Sequence, residues 1–176
     1  MPGYANAITG MLLLVGVVGE RLVQAPTPDL MVGFEQNNGS QSIEERIPRD
    51  ETVQDWSRMV TTQWAANLVS MDVTPAIFVE RIAAGWKAHC PGSSVSPITP
   101  VAKQPAVEAR FDCPRNPQTG KPETMFMRAV AGATDLHMVQ VAYRHVPTAV
   151  EIDWARRHLG SVKVCGASDL AGDCAR

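Results

Sequence analysis

Four cysteines, Cys90, Cys113, Cys165 and Cys174, carry the strongest chemistry in this sequence. A thiolate can attack a substrate, ligate a metal or pair with another sulfur. Structural zinc sites are built on C-x₂₋₄-C knuckles, and none occurs among these four. An even count suits pairing in an oxidising compartment and leaves no free thiol as a nucleophile. Four cysteines allow three connectivities. The simplest joins nearest neighbours, Cys90 with Cys113 and Cys165 with Cys174. By loop-closure entropy those bridges would contribute roughly 3.4 and 2.7 kcal/mol.

The remaining reactive side chains form no familiar constellation. His89, His137, His145 and His158 make no H-x-x-x-H or H-E-x-x-H arrangement. His137 and His145 fall about 27 Å apart on one predicted strand, too far to share a metal. There is no G-x-S-x-G elbow. Gly120-Lys121 lacks the earlier glycine and the following Ser or Thr of a phosphate loop, and Pro122 removes a donor that such a loop needs. Glu44 and Glu45 point to opposite faces of a strand, so they are a poor acid–base pair. Trp56, Trp64, Trp86 and Trp154 each sit among apolar neighbours, as core residues do. One pattern could recognise a ligand. Arg110, Arg128 and Arg144 fall in three predicted strands. On one face they would form a cationic patch for carboxylate or phosphate groups. The plainer alternative is a solvated face with Glu108 and Glu123 as partners. Nothing indicates a cofactor or a metal.

Charge and composition narrow the partners. The 176 residues suit one domain, and a 45% hydrophobic share is enough for a core. The net charge is −2 with both signs interspersed and no basic stripe, which argues against a nucleic-acid partner. Residues 8–18, ITGMLLLVGVV, are uncharged. They are too short to span a bilayer and have the length of a signal-peptide core. Residues 1–25 are therefore read as a signal peptide, with cleavage before Glu20 or before Pro26. The mature chain then has no membrane span. The competing reading of residues 8–18 is a buried helix or strand.

These residues must be positioned by recognisable elements. Residues 30–36 and 41–47 read as strands around Asn37-Asn38-Gly39-Ser40, a hairpin turn tolerant of positive φ. Thr52-Val53-Gln54-Asp55 has the form of a capping box and predicts a short helix carrying Trp56 as a structural corner. Residues 59–65 are β-branched and aromatic. Thr74-Pro75 opens a helix running to about His89. Residues 93–105 are Ser/Pro-rich and read as loop with a short extended piece. Strands follow at 106–113, 124–130 and 136–146. Pro147 opens a second helix to about Leu159, with Val150, Trp154 and Leu159 inward. Residues 162–165 form a last short strand.

Residues 47–63, from Ile47-Pro48-Arg49-Asp50-Glu51-Thr52 through Trp56 to Gln63, resemble the core of an uncharacterised family of small exported proteobacterial proteins with four cysteines. Trp86 followed by Cys90-Pro91, Cys113-Pro114 with residues 119–124 (TGKPET), Trp154 and Val164-Cys165 carry the same resemblance. It covers roughly residues 34–174. Asp50-Glu51 stands where the family would have Gly-Glu, and the basic start of an export signal is lacking. The resemblance implies export and four half-cystines, and implies no activity. The layout is also similar to the PsbP-like sandwich, as a fold-level analogy.

Taken together, the sequence predicts an α+β fold. An antiparallel sheet of about six strands carries two main helices, in a single disulfide-bonded domain over residues 26–176. The expected function is a non-enzymatic periplasmic or secreted module that binds a protein or cell-envelope component. The alternative is an enzyme with a spatially assembled site that recognises an anion.

Overall fold

The computed structural model describes residues 19–166 and Cys174. Its strands are β1 (Arg21–Val23), β2 (Leu30–Asn37), β3 (Gln41–Pro48), β4 (Arg58–Ala65), β5 (Ser94–Val95), β6 (Thr99–Pro100), β7 (Ala106–Cys113), β8 (Glu123–Ala131), β9 (Leu136–Tyr143) and β10 (Lys163–Cys165). The helices are α1 (Pro75–His89) and α2 (Ala149–Gly160). The main sheet runs β2-β3-β4-β9-β8-β7-β5, with β6 also on β7, and every pairing is antiparallel. This is the expected α+β class, but with eight strands rather than about six. The two extra strands are two-residue pieces of the Ser/Pro-rich segment that lie along β7.

Local chemistry accounts for most element boundaries. In the β2–β3 turn, Gly39 takes φ +84°. The Asn37 side chain accepts from the Gly39 N–H at 2.8 Å, and Asn38 accepts from Ser40 and Gln41. Thr74 caps α1 by accepting from the Ile77 N–H, with Pro75 as the first helical residue. The second helix starts later than expected. Thr148 caps it and Glu151 completes a capping box, so Pro147 lies outside. That phase turns Ile152, Ala155 and Leu159 inward and leaves Val150 exposed, contrary to expectation. The strand expected over 136–146 stops at Tyr143.

Apolar side chains alternate along β7, β8 and β9, and both faces of the sheet are covered. On one face Ala109, Phe111, Met125, Met127, Ala129 and Met138 pack with Val79, Phe78, Ile82 and Trp86 of α1. On the other, Phe126, Val130, Val139, Val141 and Tyr143 pack with Ala155 and Leu159 of α2. A separate ribbon of β1 with β10 lies on the α2 side, where Leu22 and Val164 join the same cluster. The apolar stretch read as an export signal, residues 8–18, lies outside the described residues. Residues 20–25, within the segment assigned to the signal, are bound into the domain. Glu20 accepts from the Ala133 and Thr134 N–H groups, Gln24 donates to Thr62, and the Ala25 N–H donates to Ser161.

The corner at Thr52 is a closed loop rather than a helix. Thr52 and Asp55 exchange backbone hydrogen bonds of 3.2 and 3.1 Å, and the Thr52 hydroxyl also accepts from the Asp55 N–H. With no third turn of chain to propagate it, the cap closes on itself. Trp56 is 6% exposed and joins the α1-side core. Truncating this indole should cost about 3–5 kcal/mol, against about 1 kcal/mol for the cap hydroxyl. Denaturant melts of the unreduced protein should therefore show Trp56→Ala destabilised far more than Thr52→Ala. Equal losses would remove Trp56 from its role as the anchor of the corner.

Candidate functional site

All four cysteines are paired as nearest neighbours. Cys90–Cys113 joins the end of α1 to the end of β7, with Cα atoms 5.9 Å apart. Cys165–Cys174 ties β10 to the following chain, with Cα atoms 5.7 Å apart. Among the described residues no three His, Cys, Asp or Glu side chains come together as a metal site.

The three arginines do not converge. Arg110 and Arg128 lie on adjacent strands on the α2 face. Arg110 chelates Asp112, with contacts down to 2.7 Å, and lies over Phe126. Arg128 is buried, bound to Glu108 at 2.6 Å and to the Val162 carbonyl. Glu108 is the partner expected from sequence; Glu123 instead accepts from Asn116. Arg144 sits on the opposite face, 4.1 Å over the Trp56 ring, and donates to the Gln54 carbonyl. Its side chain also opposes the burial that pushes the Glu45 carboxyl up. Residue parity decides this separation: 110 and 128 share a face with Phe126, whereas 144 continues the face of Met138 and Ala142.

Two of the histidines contact other side chains at hydrogen-bond distance, and a third, His137, is buried with its Nε2 unpartnered. His145 contacts Glu151 at 3.0 Å. His137 is 2% exposed and 3.6 Å from Glu20. His158 stacks on Trp154 with ring centres 5.1 Å apart, and the Arg58 guanidinium covers the same indole. His158 also meets Gln24 at 3.1 Å, and Gln24 in turn reaches Thr62. This layered stack holds residues 20–25 against the sheet. Nearby, burial pushes the Tyr143 hydroxyl up to about 12, and it donates to the Glu151 carbonyl.

An open cleft of about 520 Å³ lies between the second half of α1 and the turn after β7. Its helix wall carries Arg81, Gly85 and His89 in one stripe, with Ile82 and Trp86 beside them. The Cys90–Cys113 bridge closes one end, and Asn116, Pro117 and Gln118 form the opposite wall. That wall is built by its own hydrogen bonds. Asn116 exchanges backbone bonds with Gly120 and Lys121, and its side chain accepts from the Gln118 N–H and donates to Glu123. Gly120 takes φ +69° to close the turn. Trp86 lies edge-on to Phe111, and its indole nitrogen is buried without a hydrogen-bond partner. The His89 Nδ1 meets the Gly85 carbonyl at 2.7 Å, which leaves Nε2 outward. Arg81 is exposed, with no hydrogen-bond or ion-pair partner among the described residues.

The cleft was not legible in the sequence, because residues 116–118 come beside α1 only through tertiary packing of α1 on β7 and β8 and the Cys90–Cys113 bridge. One signal was legible. Gly85 interrupts a strong helix at a cost of about 1 kcal/mol relative to alanine. A side-chain carbon built there would meet nothing within 4 Å.

The buried histidines make stability acid-sensitive. Burial lowers the His158 pKa, and nearby Arg58 adds to the effect. Burial also lowers His137, against the opposing pull of Glu20. Both imidazoles in the unfolded chain titrate near 6.5. The unfolded state therefore binds more protons below that pH. The associated stability is complete above about pH 6.5 and is lost as pH falls toward the depressed folded values. The melting temperature should drop between about pH 7 and pH 5. His158→Gln, which keeps an amide for Gln24, should flatten that drop. An unchanged slope in the variant would exclude His158 as a source.

Neither a family model nor a curated protein matches this chain.

Proposed function

We propose that this chain is an exported, non-enzymatic binding module of the periplasm or extracellular space, with the cleft beside α1 as its ligand site. The observation that carries this reading is the cleft itself. A disulfide frames it, a hydrogen-bonded turn walls it, and a mid-helix glycine leaves its floor bare. Its volume lies in the range of small-molecule pockets, and its mixed apolar and polar lining is of the usual kind. Two disulfides favour an oxidising compartment. Among the described residues no helix is long and apolar enough to cross a membrane. The enzyme alternative has less support, because Arg110, Arg128 and His158 are already held by partners in the chain.

Export also selects between the two cleavage positions. A cut before Pro26 would remove β1 and the Glu20 and Gln24 contacts, so the mature chain should begin at Glu20. N-terminal sequencing of protein from periplasm or medium should read Glu-Arg-Leu-Val. A Pro26 start would overturn the choice of site, and an intact Met1 chain confined to the cytosol would overturn export.

The binding reading is tested on unreduced, ¹⁵N-labelled full-length protein titrated with a broad fragment mixture. The indole N–H resonance of Trp86 should shift, while those of Trp56, Trp64 and Trp154 stay in place. A mixture that shifts every other indole but leaves Trp86 unmoved would remove the cleft as the site.

A further inference from the structure

We infer that the cleft beside α1 binds a carboxylate joined to a flat apolar group, with Arg81 holding the carboxylate and Gly85 keeping the space open. This deepens the proposal above and rests on the cleft being a ligand site. Charge is the first argument. No Asp or Glu lines the cleft, and Arg81 is the fully charged side chain on its rim. Arg46, Arg58, Arg110, Arg128 and Arg157 have carboxylate partners, whereas Arg115 and Arg156, like Arg81, have none among the described residues, and of these three only Arg81 lines the cleft. Arg81 has none among the described residues, so its planar fork is available for bidentate contact. His89 sits two turns further along the same stripe with its Nε2 outward, within the same opening.

The floor supplies the second argument. Ile82, Trp86 and the Cys90–Cys113 sulfurs are apolar, and Trp86 presents a rigid aromatic surface braced by Phe111. A flat hydrocarbon group gains most from such a wall. The Trp86 nitrogen is buried without a hydrogen-bond partner, so the ring rather than its N–H is what the cleft exposes.

Gly85 is the third. Glycine inside a helix sacrifices stability relative to alanine, and crowding is the usual reason to accept that loss. Crowding is absent here, since a side-chain carbon would enter open space. The space over Gly85 lies between Arg81 and His89, where a bound ring would rest. Such a ligand can be a free aryl acid or the C-terminal residue of a polypeptide, because both present a carboxylate beside an apolar group.

The test titrates the unreduced full chain with phenylacetate, phenylacetamide and N-acetyl-Gly-Phe, following the Trp86 indole and Gly85 amide resonances. Phenylacetate should shift both, and the neutral amide should bind at least about tenfold more weakly, as loss of a charged partner predicts. Arg81→Gln should weaken phenylacetate by about tenfold with the melting temperature unchanged. Gly85→Leu should abolish binding while the melting temperature holds or rises. Tighter binding of N-acetyl-Gly-Phe than of phenylacetate would assign the ligand to a polypeptide C-terminus, and the reverse to a free acid. Equal binding of phenylacetate and its amide would overturn the carboxylate assignment and leave the cleft standing. Unaltered binding in Gly85→Leu would overturn the role of Gly85. If neither compound nor the peptide moves Trp86 while other fragments do, the ligand class is wrong. If no fragment moves it, the cleft reading itself fails.

Discussion

β8 and β9 place apolar side chains on both faces of the sheet. Met125, Met127 and Met138 face one way, and Phe126, Val139 and Val141 the other. Strands of this kind cannot leave one face to water, as many antiparallel sheets do. Each face therefore needs a cover, and the chain supplies one helix to each. Helix α1 reaches its face directly from β4 through a short 3₁₀ turn. Helix α2 reaches the other face after β9, helped by the Tyr143 hydroxyl donating to Glu151 and by residues 20–25 packed beside it.

Two-sided burial also decides what the polar groups can do. Arg128 lies in the covered face, so its charge is tolerated only with Glu108 and a backbone carbonyl in place. Burial lowers the His158 pKa, and the ring is built into an aromatic and cationic stack. These groups hold elements together and are closed to ligands. One of the open clefts lies beside the second half of α1. There the disulfide and the turn after β7 enclose space that no side chain fills.

The cleft lies between α1 and the connection of residues 114–122. Trp86 and Ile82 turn inward to reach Phe111, and this leaves the Arg81–Gly85–His89 stripe facing the turn. Cys90 ends the helix and fixes the separation by its bond to Cys113. The bridge adds a covalent tie to a wall that its own hydrogen bonds and the β7–β8 pairing already hold.

Elements set by short-range chemistry were legible in the residues alone. Asn37-Asn38-Gly39-Ser40 had to turn because its side chains bond its own backbone and Gly39 takes positive φ. Thr74-Pro75 had to start a helix because it satisfies an exposed N–H and presets φ. Pairing of the cysteines was suggested by their even count, and all four are paired. The rest depended on partners far away in sequence. The pairing of β4 with β9 decided which strands are neighbours. The covering of both sheet faces decided that Val150 is exposed. Strand parity put Arg144 against Trp56 and away from Arg110 and Arg128. The Thr52 cap closes a loop, and the next residue after it, Trp56, is buried in the core. A cap or a turn is settled within four residues. A face is settled by whatever apolar surface arrives to cover it, and only the folded chain brings that surface near.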